Sequence, residues 1–169
     1  MDDPYFMRFA LAQARQALAA GEFPVGCIMV HRGRIVVSGA RSGTRSHHPN
    51  EIDHAEMVAL RRLDTMGESF PHGELVLYCT MEPCLMCFAA LTLSRIGKVV
   101  YAYEDVMGGG TGCDLTSLPP LYDSLKPEIV GGVLRGESLA LFQAFFSNEA
   151  HAYWQGSLLA DYTLAQQGC

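Results

Sequence analysis

Apolar residues recur at helical spacing near the start of the chain, where Phe6, Ala10, Ala14 and Leu18 share one face. Asp2 or Asp3 supplies a cap, Pro4 suits the first turn and Gly21 stands just past the pattern, so a helix is predicted to run to Ala20. The period then shortens. Cys27 to Val30 and Ile35 to Val37 are β-prone runs around Arg32-Gly33, a connection too short for a parallel crossover, which predicts a hairpin. A polar loop from Arg41 to Asn50 leads into a second helical pattern, Asp53 to Leu63, with Ala55, Val58, Ala59 and Leu63 apolar. Glu74 to Thr80 reads as a buried strand, a helix begins near Cys84, and Lys98 to Tyr103 is a further strand. Ile129 to Leu134 is the last β-prone piece, and Glu137 to Phe146 the next helix, with Leu141, Phe142, Phe145 and Phe146 as its stripe. Asp105 to Cys113 is glycine-rich and reads equally as a segment that approaches a ligand or as a plain connection. Strands alternating with helices predict an α/β fold, a mixed sheet between helices, with the 53–63 and Cys84 helices neighbours on one face.

Length and composition bound this picture without changing it. The 169 residues, 49% hydrophobic, suit one domain with a sizeable core. Residues 1–147 are expected to form it, with 148–169 as a C-terminal extension packed on the same domain. No apolar run is long enough to span a membrane, and the polar start Met1-Asp2-Asp3-Pro4 is unlike a signal peptide. Six cysteines without a disulfide-like framework suit a reducing compartment, and the expected location is cytoplasmic.

The candidate chemistry lies in His54-Ala55-Glu56 and Pro83-Cys84-Leu85-Met86-Cys87. His54, Cys84 and Cys87 make three ligands for zinc, and three leave a fourth position open to a water that zinc can ionise near neutral pH. Residues two apart on a helix point about 200° from each other, so His54 and Glu56 do not both reach the metal unless they sit in the first turn. The expected arrangement has His54 on the metal and Glu56 beside the water, as proton carrier. A Pro before Cys-x-x-Cys at a helix start places both sulfurs where backbone amides favour thiolates. Two other readings stay open: a redox Cys-x-x-Cys, and a closed structural zinc site completed by His47, His48, Cys79 or Cys113. Cys27 and Cys79 lie in apolar runs and read as small core residues.

The His-x-Glu and Pro-Cys-x-x-Cys signature is that of zinc nucleobase deaminases. With Glu22 to Cys27, His54 to Leu60, Glu82 to Cys87 and Leu93 to Tyr101, the chain resembles the cytidine and deoxycytidylate deaminase superfamily, most of all its tRNA adenosine deaminase branch. The resemblance implies a three-layer α/β/α sandwich with a mixed five-stranded sheet, a homo-oligomer such as a dimer, and hydrolytic release of ammonia with Glu56 as proton shuttle. It also implies a base pocket walled by Phe23, Pro24 and Val25, by Ala55, and by Glu82 and Pro83. The Asn with which relatives bind the base in the loop after the second strand has no clear counterpart; Arg41, Ser42 and Gly43 stand nearest, and Ser42 is taken as a candidate contact.

Charge then shifts the expected substrate. Net charge −6 and pI ≈ 5.4, with no Lys or Arg beyond Arg135, disfavour a tRNA polyanion unless Arg41, Arg45, Arg61, Arg62, Arg95 and Lys98 converge into a basic rim. The expected substrate is therefore a free base, nucleoside or nucleotide, the alternatives being tRNA adenosine and a catalytically silent, zinc-stabilised binding subunit. The segment around Tyr153, Trp154 and Tyr162 reads as a lid, a partner-binding helix or, first, as packing.

Overall fold

The computed structural model describes residues 2–71 and 73–166. Helix α1 (Asp3–Ala19) starts where the Asp2 carboxylate accepts the Tyr5 amide at 3.1 Å, and Gly21 at φ 76° turns the chain away. Strands β1 (Gly26–His31) and β2 (Arg34–Ala40) form the expected hairpin. Its turn places Arg32 at φ 47° and Gly33 at φ 79°, the left-handed pair that matches hairpin twist. Then follow α2 (Ala55–Thr65), β3 (Leu75–Met81), α3 (Leu85–Leu93), β4 (Lys98–Tyr103), the short α4 (Pro120–Asp123), β5 (Glu128–Val130), α5 (Arg135–Phe146) and α6 (Leu158–Ala165). β5 is shorter than the pattern from Ile129 to Leu134 suggests. Gly131 and Gly132, the latter at φ 83°, end the extended run, and Leu134 at φ 55° becomes the cap of α5.

The sheet is mixed and five-stranded, in the order β2-β1-β3-β4-β5. β1 pairs antiparallel with β2 and β3, while β3–β4 and β4–β5 are parallel, with α3 as the crossover between β3 and β4. Alternation along the strands divides the core in two. Cys27, Met29, Leu77, Cys79 and Val99 face Ala55 and Ala59 of α2 and Leu91 of α3, while Ile28, Val30, Tyr78 and Val100 face Phe6, Met7 and Leu11 of α1. Burying each large apolar side chain contributes about 1.5–3 kcal/mol, which fixes helices to strands on both faces.

Two features place the functional end of the sheet. A Cβ on Gly39 of β2 would lie 2.0 Å from the Ala55 carbonyl oxygen, so glycine there lets α2 begin directly on the strand. Beyond the carboxyl ends of β3 and β4, Phe142, Phe145 and Phe146 of α5 and Leu159 of α6 extend the first core. The Ser138 hydroxyl donates to the Thr80 carbonyl at 2.6 Å, and Arg135 engages Glu104 just past β4, with Nε to the carboxylate at 2.8 Å. The hairpin turn lies at the opposite rim, because His31 pairs with Leu75 at the amino end of β3. Among the described residues no helix is long and apolar enough to cross a membrane.

Candidate metal centre and its pocket

His54 and Cys84 are the N-cap residues of α2 and α3, both in extended conformation, and neither side chain caps its own helix. Both side chains are thereby free to meet each other. His54 Nδ1 lies 3.4 Å from Cys84 Sγ and 3.6 Å from Cys87 Sγ, and the three atoms form one compact cluster. A tetrahedral zinc ion, about 2.3 Å from sulfur and 2.0–2.1 Å from nitrogen, sets such N···S separations at roughly 3.6 Å, so this donor set fits zinc. It is the one group of three such ligands among the described residues; His47, His48, Cys79 and Cys113 stand outside it.

Electrostatics at the cluster suit a cation. Cys84 is held down at about 4, first by hydrogen bonding from the Cys87 thiol and then by His54, against the cost of its burial. Cys87 is pushed up, because it holds the shared proton and is desolvated, so ligation must displace that proton. The His54 imidazole is shifted upward, chiefly by its bond to Cys84. The amino ends of both helices point here and favour the anionic form of the sulfurs.

Glu56 is 3% exposed and lies outside the ligand cluster. Burial raises its pKa, opposed by its backbone bond and by nearby His54, and the buried Cys27 and Cys79 thiols lie behind it. The sequence pattern began this helix at Asp53, but Asn50 holds that residue outside. Its Oδ1 accepts the amides of Ile52 and Asp53 at 2.9 and 3.0 Å. His54 and Glu56 therefore share the first turn, the one place where both reach the same end.

Beside the cluster opens a cavity of about 400 Å³. Of the residues expected to contact substrate, Phe23, Val25, Ala55 and Glu82 line it. Pro24, Pro83 and Ser42 are not among its lining residues. The two prolines are buried, and exposed Ser42 instead offers its carbonyl to Arg41 at 3.2 Å. Arg41 is the residue of that loop that faces the cavity. Its side chain is 2% exposed, and it donates to the Asp53 carbonyl, to Glu51 and to the Tyr153 hydroxyl, each at 3.2 Å.

The sequence carries no sign of Glu51 and Leu159 as cavity residues and favours packing for Tyr153 and Trp154, while the segment from Asp105 to Cys113, read equally as approaching a ligand or as a plain connection, brings Asp105, Met107 and Gly108 to the cavity. The aromatic pair in an otherwise polar stretch was the available signal. The glycine-rich segment is braced rather than slack: Asp105 accepts the Met107 and Gly108 amides at 3.0 and 2.9 Å, Glu82 accepts the Asp105 amide at 3.1 Å, and the Gly110 amide donates to Pro83. A Cβ on Gly110 would lie 2.6 Å from the Leu85 Cα, so this loop rests against the start of α3.

The six cations do not form a basic rim. Arg61 is engaged by Asp53, Arg62 by the Ser38 carbonyl, and Arg45 by the Ala20 carbonyl. Lys98 pairs with Asp3 at 2.9 Å, at the amino end of β4, and Arg95 lies just before it. Only Arg41 of the six lines the cavity, and Glu51 partners it.

The family profile described as the cytidine and deoxycytidylate deaminase zinc-binding region matches residues 1–103. A curated relative, a tRNA-specific adenosine deaminase of Agrobacterium fabrum (strain C58 / ATCC 33970), is 35% identical over 147 residues, covering 84% of this chain and 92% of its own. A solved structure from a study of A-to-I editing by tRNA:A34 deaminases at the wobble position superposes with TM-score 0.67 and 30% identity, over 81% of this chain and 98% of the other. A guanine deaminase from Nitrosomonas europaea shares the fold at TM-score 0.64 and 22% identity, over 84% of this chain and 83% of its own.

Proposed function

The chain belongs to the cytidine and deoxycytidylate deaminase family and is a zinc-dependent deaminase of nucleobase-type substrates, and from that premise we propose that it converts adenosine to inosine in tRNA. The observation that carries the finer reading is 35% identity with a tRNA-specific adenosine deaminase over nearly the whole of both chains. It outweighs the acidic net charge that turned the sequence reading toward small substrates, because charge bears on affinity and not on the reaction.

In this reading His54, Cys84 and Cys87 hold the zinc, and Glu56 carries protons. Zinc, when bound, supplies a water that ionises near neutral pH. Glu56 accepts the water proton, passes it to the ring nitrogen beside the amine-bearing carbon, and then serves the leaving amine. One C–O bond forms, one C–N bond breaks and ammonia departs. A carboxyl buried beside the ligand cluster and outside it is placed to take a proton and return it. Phe23 and Val25 flank the ring by apolar contact.

A second reading, a free base or nucleoside, is favoured by one observation: among the described residues Arg41 is the one arginine or lysine that lines the cavity, and Glu51 already pairs with it. Ammonia release decides between them. The zinc-loaded protein is expected to act on a tRNA anticodon arm carrying adenosine at the reacting position; activity confined to adenine, guanine, cytosine or their nucleosides would establish the second reading instead. A dimer is also proposed, consistent with the apolar residues Leu85 and Leu93 that α3 leaves 60% and 50% exposed.

A further inference from the structure

We propose that Trp154 is a stacking platform for the nucleobase next to the one being deaminated, a second RNA subsite at the cavity mouth; this rests on the tRNA reading above. Placement comes first. Trp154 lines the cavity yet stays 43% exposed, whereas its neighbour Tyr153 is largely covered. Its backbone adopts φ 57°, a left-handed conformation that a residue other than glycine keeps only when its surroundings impose it.

Those surroundings are on both sides. The Tyr153 hydroxyl donates to Glu51 at 2.8 Å and accepts from Arg41, and its ring stands edge-to-face with Phe23 at 5.2 Å. The Gln155 side chain donates to the Phe146 carbonyl at 3.0 Å, and Ser157 caps α6. The indole itself meets Tyr153 at 5.7 Å and 77°, a contact that covers at most one of its faces. A rigid aromatic surface is thus held open at the mouth.

The chemistry of the ligand follows from what the mouth lacks. With net charge −6 and Arg41 already engaged by Glu51, an RNA gains little here from pairing its phosphates with cations. Extruding one base for reaction leaves its neighbours unstacked, and an aromatic side chain beside the opening recovers that stacking. Such contacts strengthen binding roughly 5- to 150-fold per base and tolerate any base.

The chain contains a single tryptophan, so its fluorescence reports this contact directly. Titrating the zinc-loaded protein with an anticodon stem-loop is expected to quench it. Making the nucleotides flanking the target abasic should remove the quenching and weaken binding at least fivefold. Trp154→Ala should raise KM for the stem-loop roughly tenfold, with Trp154→Phe restoring most of the loss. Full quenching by adenosine alone would mean that Trp154 covers the target base itself and would overturn the platform, as would stem-loop binding indifferent to the abasic flanks. A protein active on free bases but inert towards, and unquenched by, the stem-loop would overturn the tRNA reading and the platform together.

Discussion

The Tyr153 hydroxyl donates to the Glu51 carboxylate at 2.8 Å across 102 positions of sequence, and the same carboxylate oxygen lies 3.9 Å from His54 Nε2. The C-terminal segment is thereby tied to the far side of a proposed zinc ligand. Tyr153→Phe removes this bond and the one from Arg41 while keeping the ring on Phe23. We expect a loss of about 0.5–1.5 kcal/mol in stability and a several-fold rise in KM, with zinc content unchanged. Thermal melting and steady-state kinetics check it; an unaltered KM and melting point would show that the tie does not hold the segment.

Glu56→Gln keeps the shape of the side chain and removes its ability to cycle a proton. Bound zinc should stay near one per chain, as measured by elemental analysis, while kcat falls by at least about 10²–10⁴-fold. Retained turnover would remove Glu56 from its assigned role.

Cys87→Ala takes away a proposed zinc ligand, 0% exposed, and should lower both zinc content and stability. Elemental analysis against the unsubstituted protein is decisive, because an unchanged metal ratio would contradict the three-ligand assignment.

Glu104 accepts from Arg135 and from the Tyr162 hydroxyl at 2.7 Å, and the Arg135 guanidinium holds its carboxyl down at about 2, from an ordinary 4.5. A carboxyl depressed in the folded state contributes stability above its unfolded pKa and loses that contribution as pH falls through the folded one. Discounted for partial exposure, the contribution is about 1–2 kcal/mol. Denaturation of Glu104→Gln should therefore show a deficit at pH 6 that shrinks between about pH 4.5 and 2; a deficit constant with pH would point to packing alone.

Gly39→Ala sets a Cβ against the Ala55 carbonyl with 2.0 Å between them. Moving α2 off the sheet to relieve this also moves His54. We expect several kcal/mol of destabilisation and a loss of zinc affinity, read together by melting and metal titration.

How much of this was legible in the sequence depended on how far residue type was dictated. Zinc chemistry demands imidazole and thiolates at set spacing, so His54, Glu56, Cys84 and Cys87 stood out, and the alternating strands gave the mixed sheet. Arg41 did not stand out, since an arginine in a polar loop looks the same whether it faces solvent or a cavity. The segment from Ser147 to Ser157 has no period to read; its course is set by long-range bonds such as Tyr153 to Glu51 and by a left-handed Trp154. Boundaries slipped where side chains made their own turns, at Asn50 before α2, and where Gly131 and Gly132 cut β5 short.

The Arg32-Gly33 turn closes the hairpin at the rim of the sheet remote from His54 and Cys84. It is a natural attachment point: an affinity peptide, a dye or a surface linker spliced between these two residues would extend into solvent on the side turned away from the ligand cluster, leaving the cavity opening unobstructed.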